Sequence, residues 1–136
     1  MDNKKLDAIF RSLSDQVEGT DGNWEFVIND IHFVCLTDEL HNRMRIIAPI
    51  RDHETMSEKD IKRCMEANFH SALDVKYSIS GKVLWAAFMH PLKELSEFQV
   101  EDAVQQVYSA VMTYGTSYSS SNLYFPTKDD RRNRMN

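Results

Sequence analysis

Five histidines, two cysteines and several carboxylates are the side chains of this sequence whose types could carry chemistry. His32, His41, His53, His70 and His90 could ligate a metal, but the closest two are nine residues apart and in different segments. None forms an i, i+4 pair or an HExxH motif, so scattered surface or structural histidines and no metal site are expected. A nucleophilic cysteine needs a neighbouring base and an electropositive setting. Cys35 sits in an alternating run with Phe33, and Cys64 sits beside Met65 in a helical pattern, so both read as buried, inert thiols. Glu58, Asp60 and Glu66 have the spacing of a solvated helix face rather than of an acid–base pair. No GxGxxG, P-loop, GxSxG or CxxC is present, and no cofactor is expected.

Composition narrows the classes further. The chain has 136 residues, 42% of them hydrophobic and 27% charged, which suits one globular domain. Two cysteines make neither a disulfide framework nor a Cys₄ zinc site. A net charge of −5 argues against nucleic acid as the main partner. The N-terminus is charged at once, and the longest apolar run, Val83 to Met89, is strand-sized. A membrane helix needs ~18 or more apolar residues, so no membrane association and a cytoplasmic location are expected.

The elements that position these residues follow from periodicity. Leu6, Ile9, Phe10, Leu13 and Val17 predict a first helix over 3–17, ended by Gly19 and Gly22. Trp24, Phe26 and Ile28 alternate as a strand, and Asn29-Asp30 fits a two-residue hairpin turn. Ile31 to Leu36 and Met44 to Ile50 complete a three-stranded meander. Ser57 with Asp60 forms a capping-box pattern at the second helix, whose stripe is Ile61, Cys64, Met65, Asn68, Phe69 and Ala72. Val75 to Ile79, a Ser80-Gly81 turn and Val83 to Met89 predict two more strands, the last buried on both faces and central. Ser96 with Gln99 opens a third helix that Gly115 stops. The order α-βββ-α-ββ-α predicts an α+β fold, a five-stranded antiparallel sheet with packed helices. Residues 1–114 make the domain and 115–136 a flexible tail.

Two features bear on function. Asn68 is a polar amide in an apolar stripe: it either satisfies backbone groups near the following strand or touches a ligand, and the backbone role is favoured. The sheet also carries apolar residues on both faces. Trp24, Phe26 and Ile28 point one way, while Val27, Val34, Leu36, Ile47, Leu84 and Phe88 suggest apolar surface on the other. Two helices can cover one face; the third helix, or another chain, must cover the rest.

The element order, the run Met65-Glu66-Ala67-Asn68, the strand–Gly81–strand unit and the Pro91-Leu92 to Ser96 joint resemble the type III secretion chaperone-like group. That group includes the Tir chaperone family and the YbjN-type proteins, and the resemblance covers about residues 3–114. It implies a non-enzymatic homodimer that binds an extended segment of a partner protein. Partner binding is then expected at Trp24, Phe26, Ile28, Val34 and Leu36, with Trp24 to Asn29 as an edge strand. A homodimer interface is expected at Cys64, Phe69, Val75 and Tyr77. The alternative is a small-molecule-sensing or regulatory domain of the YbjN type, with a pocket lined by Tyr77, Trp85 and Asn68.

Overall fold

A computed structural model describes residues 1–120. Three helices, α1 (Asn3–Leu13), α2 (Glu58–His70) and α3 (Glu97–Thr113), accompany six strands. The strands are β1 (Gln16–Thr20), β2 (Asn23–Ile28), β3 (Ile31–Asp38), β4 (Arg43–Asp52), β5 (Val75–Ser80) and β6 (Val83–His90). They form one antiparallel sheet in the order β1-β2-β3-β4-β6-β5. The fold is α+β as the periodicity predicts, but the sheet has six strands, not five.

The extra strand comes from the segment assigned to the end of the first helix. Helix α1 stops at Leu13, and Ser14 is already extended at φ −98°, ψ 149°. Val17 stands four residues after Leu13 and so mimics a helical position, yet it pairs with Phe26 as part of β1. Asp21 and Gly22 both take positive φ, the backbone of a two-residue hairpin turn, and they return the chain from β1 to β2. Gly19 is also left-handed at φ +93°, and a Cβ there would overlap the carbonyl oxygen of Asn23. Only glycine fits that position.

Asn29 and Asp30 make the next hairpin turn with positive φ at both residues. Pro49 lies inside β4, where its missing N–H would break a regular ladder. The register to β6 shifts between Pro49 and Arg51, so the proline sits at a bulge. Ser57 and Ser96 each close a reciprocal capping box, with Asp60 and Gln99 respectively.

Helices α1 and α3 pack on one face of the sheet. Phe10 of α1 stacks on Phe26 with ring centroids 4.5 Å apart, and Phe26 stacks on Phe33 at 5.0 Å. Trp24 is fully buried beside Phe10 and donates its indole N–H to Asp7 at 3.0 Å. Val100, Ala103, Val104, Val107 and Ala110 bring α3 down onto Ile46, Ala48, Leu84 and Ala86. Each large side chain so buried contributes roughly 1.5–3 kcal/mol. Strand β6 lies inside the sheet, but only its Leu84, Ala86 and Phe88 side meets the core; Met89 on the other side is 56% exposed.

The C-terminal boundary also differs from expectation. Residues 115–120, assigned to the tail, fold back across the ends of α2 and α3. Tyr118 and Ser120 are buried, the Ser120 N–H donates to the Ser71 carbonyl at 3.2 Å, and Ser71 Oγ donates to the Tyr118 carbonyl at 2.6 Å. Gln106 anchors the same corner from α3, donating to Asp74 at 3.1 Å and Asp102 at 2.8 Å and accepting from Ser120 Oγ at 3.3 Å. The remainder of the expected tail, 121–136, lies outside the described residues.

Candidate partner-binding face

Strand register decides which side chains share a face, because directly opposed residues point the same way. Trp24 opposes Cys35, and Phe26 opposes Phe33; both pairs enter the helix-covered core. One residue along, Glu18, Glu25, Val34, Ile47, Ala87 and Lys76 form a row across all six strands on the other face. A neighbouring row runs Thr20, Asn23, Leu36, Arg45 and Met89. On the opposite side of the first row, Pro49 faces Trp85, and Trp85 faces Ser78. No described helix packs on this face. Its centre is apolar, with Val34, Ile47 and Trp85 half-buried around a buried Ala87.

Two shallow hollows mark the face. One, of about 350 Å³, is lined by Glu18, Glu25, Val27, His32, Pro49 and Trp85 among others. The other, of about 570 Å³, is lined by Leu36, Asp38, Arg43, Arg45, Met89 and His90 among others. The first end is acidic and the second basic. Asp38 is already occupied, accepting from the backbone and ring of His41, and these bonds hold its carboxyl below the usual carboxylate range. Among the described residues, Glu18, Glu25, Arg43 and Arg45 have no ion-pair partner.

The expected partner-binding set is therefore divided between two faces. Val34 and Leu36 lie on the open face. Trp24 and Phe26 are core residues under α1, and Ile28 ends the same covered side half-buried. The expected edge position of Trp24–Asn29 is also corrected: β1 pairs along its whole length, so the edges are β1 and β5. Arg45, Met89 and the Glu18–Glu25 pair are contributors that periodicity alone missed, and cross-strand register is the signal that finds them.

The two edges are not equivalent. At β5, the Asn68 carboxamide takes both main-chain groups of Tyr77, and the Val75 N–H donates to Ala72 at 3.1 Å. Lys76 Nζ adds bonds to the carbonyls of Asn68 and Leu73. Helix α2 thereby closes that part of the edge. At β1, one bond reaches the strand from outside the sheet among the described residues, a 3.4 Å contact from Arg11 to the Gly19 carbonyl.

The expected dimer-interface residues are mostly internal. Cys64, Val75 and Tyr77 are buried in this chain's own core, and the Tyr77 hydroxyl donates to the Ala110 carbonyl at 2.9 Å. Only Phe69 is outside, 84% exposed, one turn from Met65 at 69%. Burial pushes the Cys64 thiol up to about 11, with Asp60 adding to the shift, and burial alone raises Cys35 further. Both thiols are thus poor nucleophiles. The small-molecule pocket expected from Tyr77, Trp85 and Asn68 does not assemble: the Tyr77 ring lies in the core, Trp85 is on the open face, and Asn68 is spent on backbone. No three His, Cys, Asp or Glu side chains among the described residues stand close enough to hold a metal. No described helix is long and apolar enough to cross a membrane.

The fold and its face define a class: a small α+β domain whose antiparallel sheet is covered by helices on one side and open on the other. A chain in the solved HopA1–SchA chaperone–effector complex has a similar fold, with a TM-score of 0.62 over 80% of this chain and 88% of that chain. The two are 14% identical, so the likeness is one of fold. It supports an α+β fold like that of the chain from the chaperone–effector complex. No family model and no curated protein matches the sequence.

Proposed function

We propose that this chain is a non-enzymatic, chaperone-like protein-binding module, and that an extended segment of a partner protein lies on the open sheet face beside β1. The observation that carries this reading is the uncovered apolar centre Val34–Ile47–Ala87–Trp85, set between polar ends. An extended chain laid across that face gains apolar burial from its alternate side chains. The fold shared with a chain of a chaperone–effector complex supports the same reading. Affinity purification from the native host, followed by mass spectrometry and reconstitution with the purified partner, tests it. A reconstituted complex that Ile47→Asp abolishes is the expected result; a partner bound equally well by that variant overturns the assignment of the face.

A homodimer is part of the proposal. With Cys64, Val75 and Tyr77 internal, its interface falls on the outer side of α2, at Met65 and Phe69. A stable dimer needs about 1,200–2,000 Å² of total buried surface. Light scattering at micromolar concentration should give the mass of two chains, and Phe69→Glu should return it to one. A single-chain mass for the parent protein removes the dimer.

A further inference from the structure

The open face has a charge direction as well as an apolar centre. Glu18 stands directly opposite Glu25 in the β1–β2 ladder. Like charges in that position destabilise a strand pair, and neither glutamate makes an ion pair among the described residues. Arg45 stands between Leu36 and Met89 in its row, an unpaired guanidinium flanked by apolar side chains, with Arg43 beside it in the same hollow. Acid marks one hollow, base marks the other, and the apolar strip separates them.

We propose that the segment bound on this face is charge-polar: a lysine or arginine over Glu18 and Glu25, in the hollow that Trp85 also lines, apolar side chains over Val34 and Ile47, and an aspartate or glutamate over Arg43 and Arg45. This rests on the face being the partner site. It goes further by fixing the segment's chemistry and its direction. Glu25 and Arg45 are two strands and one row apart, which strand spacing makes about 12 Å. An extended chain covers that distance in about four residues. The bound cation relieves the Glu18–Glu25 repulsion, and the bound carboxylate gives the guanidinium of Arg45 the planar partner it lacks. Reversed charges would set acid against Glu18 and Glu25, so direction follows from repulsion as well as attraction.

The test is selection of a random 12-residue peptide library displayed on phage against the full chain. Affinities of the winning synthetic peptides are then measured by the emission of Trp85, the tryptophan on the open face. The expected consensus is basic–apolar–acidic. Peptides with the two charges exchanged should bind about three- to tenfold more weakly, as should the parent peptides to Glu18→Gln/Glu25→Gln and to Arg43→Gln/Arg45→Gln. The four substituted side chains are exposed, and urea melts of both double variants should match the parent. Winning peptides that perturb Trp85 but show no charge order, and bind both variants as well as the parent, overturn the charge proposal and leave the partner face standing. A library yielding no peptide that perturbs Trp85 overturns both. Free protein that sediments as a dimer with Trp85 shielded from acrylamide shows a second copy on the face and overturns the segment.

Discussion

The side chain of Asn68 pairs with Tyr77 as a strand would. Its Nδ2 donates to the Tyr77 carbonyl at 3.0 Å, and its Oδ1 accepts the Tyr77 N–H at 2.8 Å. One carboxamide thus satisfies both outward main-chain groups at the middle of β5 and ties α2 to the sheet.

Replacing that amide should therefore cost stability. Asn68→Leu keeps volume but strands both groups, and urea melts should show a loss of about 1–3 kcal/mol. Asn68→Asp keeps the acceptor and loses the donor, placing a carboxylate against the Tyr77 carbonyl. Its deficit should be larger at pH 7 and shrink at pH 4, where a protonated carboxyl can donate again. Equal stability of Asn68→Leu and the parent would show that the pairing contributes nothing to folding.

Two glycines with positive φ should respond unequally to alanine. Gly81→Ala meets open space and should cost about 1–2 kcal/mol from the left-handed backbone alone. Gly19→Ala adds overlap with the Asn23 carbonyl and should cost more, with faster amide exchange confined to β1 and β2. Hydrogen exchange by NMR separates the two cases.

Alkaline pH should destabilise the protein through its buried acids. Burial raises Cys64 from 9.0 to about 11, so the neutral thiol is favoured in the folded state. The stability this contributes is complete below about pH 9 and declines as the pH rises toward about 11, while the unfolded chain ionises first. Cys35 and Tyr77 are shifted in the same direction by burial, so the decline continues at higher pH. Urea midpoints across pH 7 to 11 should be flat and then fall, with Cys64→Ala reducing the fall in its first part. A rising midpoint above pH 9 would contradict the burial of these groups.

Gln106 should act as a spacer between two carboxylates. Its amide nitrogen bonds both Asp74 and Asp102, so Gln106→Leu brings those charges face to face without a donor. A loss of about 1–3 kcal/mol is expected, together with earlier chymotryptic cleavage at Tyr118, because Ser120 loses its bond to the same residue. Mass mapping of limited digests checks the second effect.

Substitutions on the open face should separate binding from folding. Met89→Glu changes an exposed side chain and should stay within about 0.5 kcal/mol of parent stability, whereas Ile47→Asp changes a half-buried one between two strands and is read beside its own urea melt. Partner affinity should nevertheless fall by tenfold or more for Ile47→Asp, read by titration of the reconstituted complex.

Much of the architecture was legible because local signals agreed. Ser57 with Asp60 and Ser96 with Gln99 announced two helix starts, and Asn29-Asp30 announced a hairpin. Strand β1 escapes periodicity because Val17 continues the spacing of Leu6, Ile9, Phe10 and Leu13, and because Gly22, which reads as a helix stop, belongs with Asp21 to a hairpin turn. That single strand moved β2 away from the edge. The open face was legible only in outline. Period 2 places Val34 and Leu36 opposite Phe33 and Cys35 within one strand, but which residues of β2, β4 and β6 join them depends on register, and register is set by tertiary pairing. The stripe of α2 marks Cys64 as buried, but the exposure of Met65 and Phe69 depends on where α2 docks, which the stripe does not specify.

The closure of β5 by Asn68 also bears on assembly. A sheet with two free edges is bivalent, so copies can add end to end without limit and form filaments. Here the outward N–H of Val75 and both outward groups of Tyr77 are already taken. That leaves β1 as the main site for strand addition. Each chain can then accept an extra strand at β1, rather than one at each end of its sheet. Concentrated solutions should accordingly stay clear of fibrils as long as the amide at position 68 is in place.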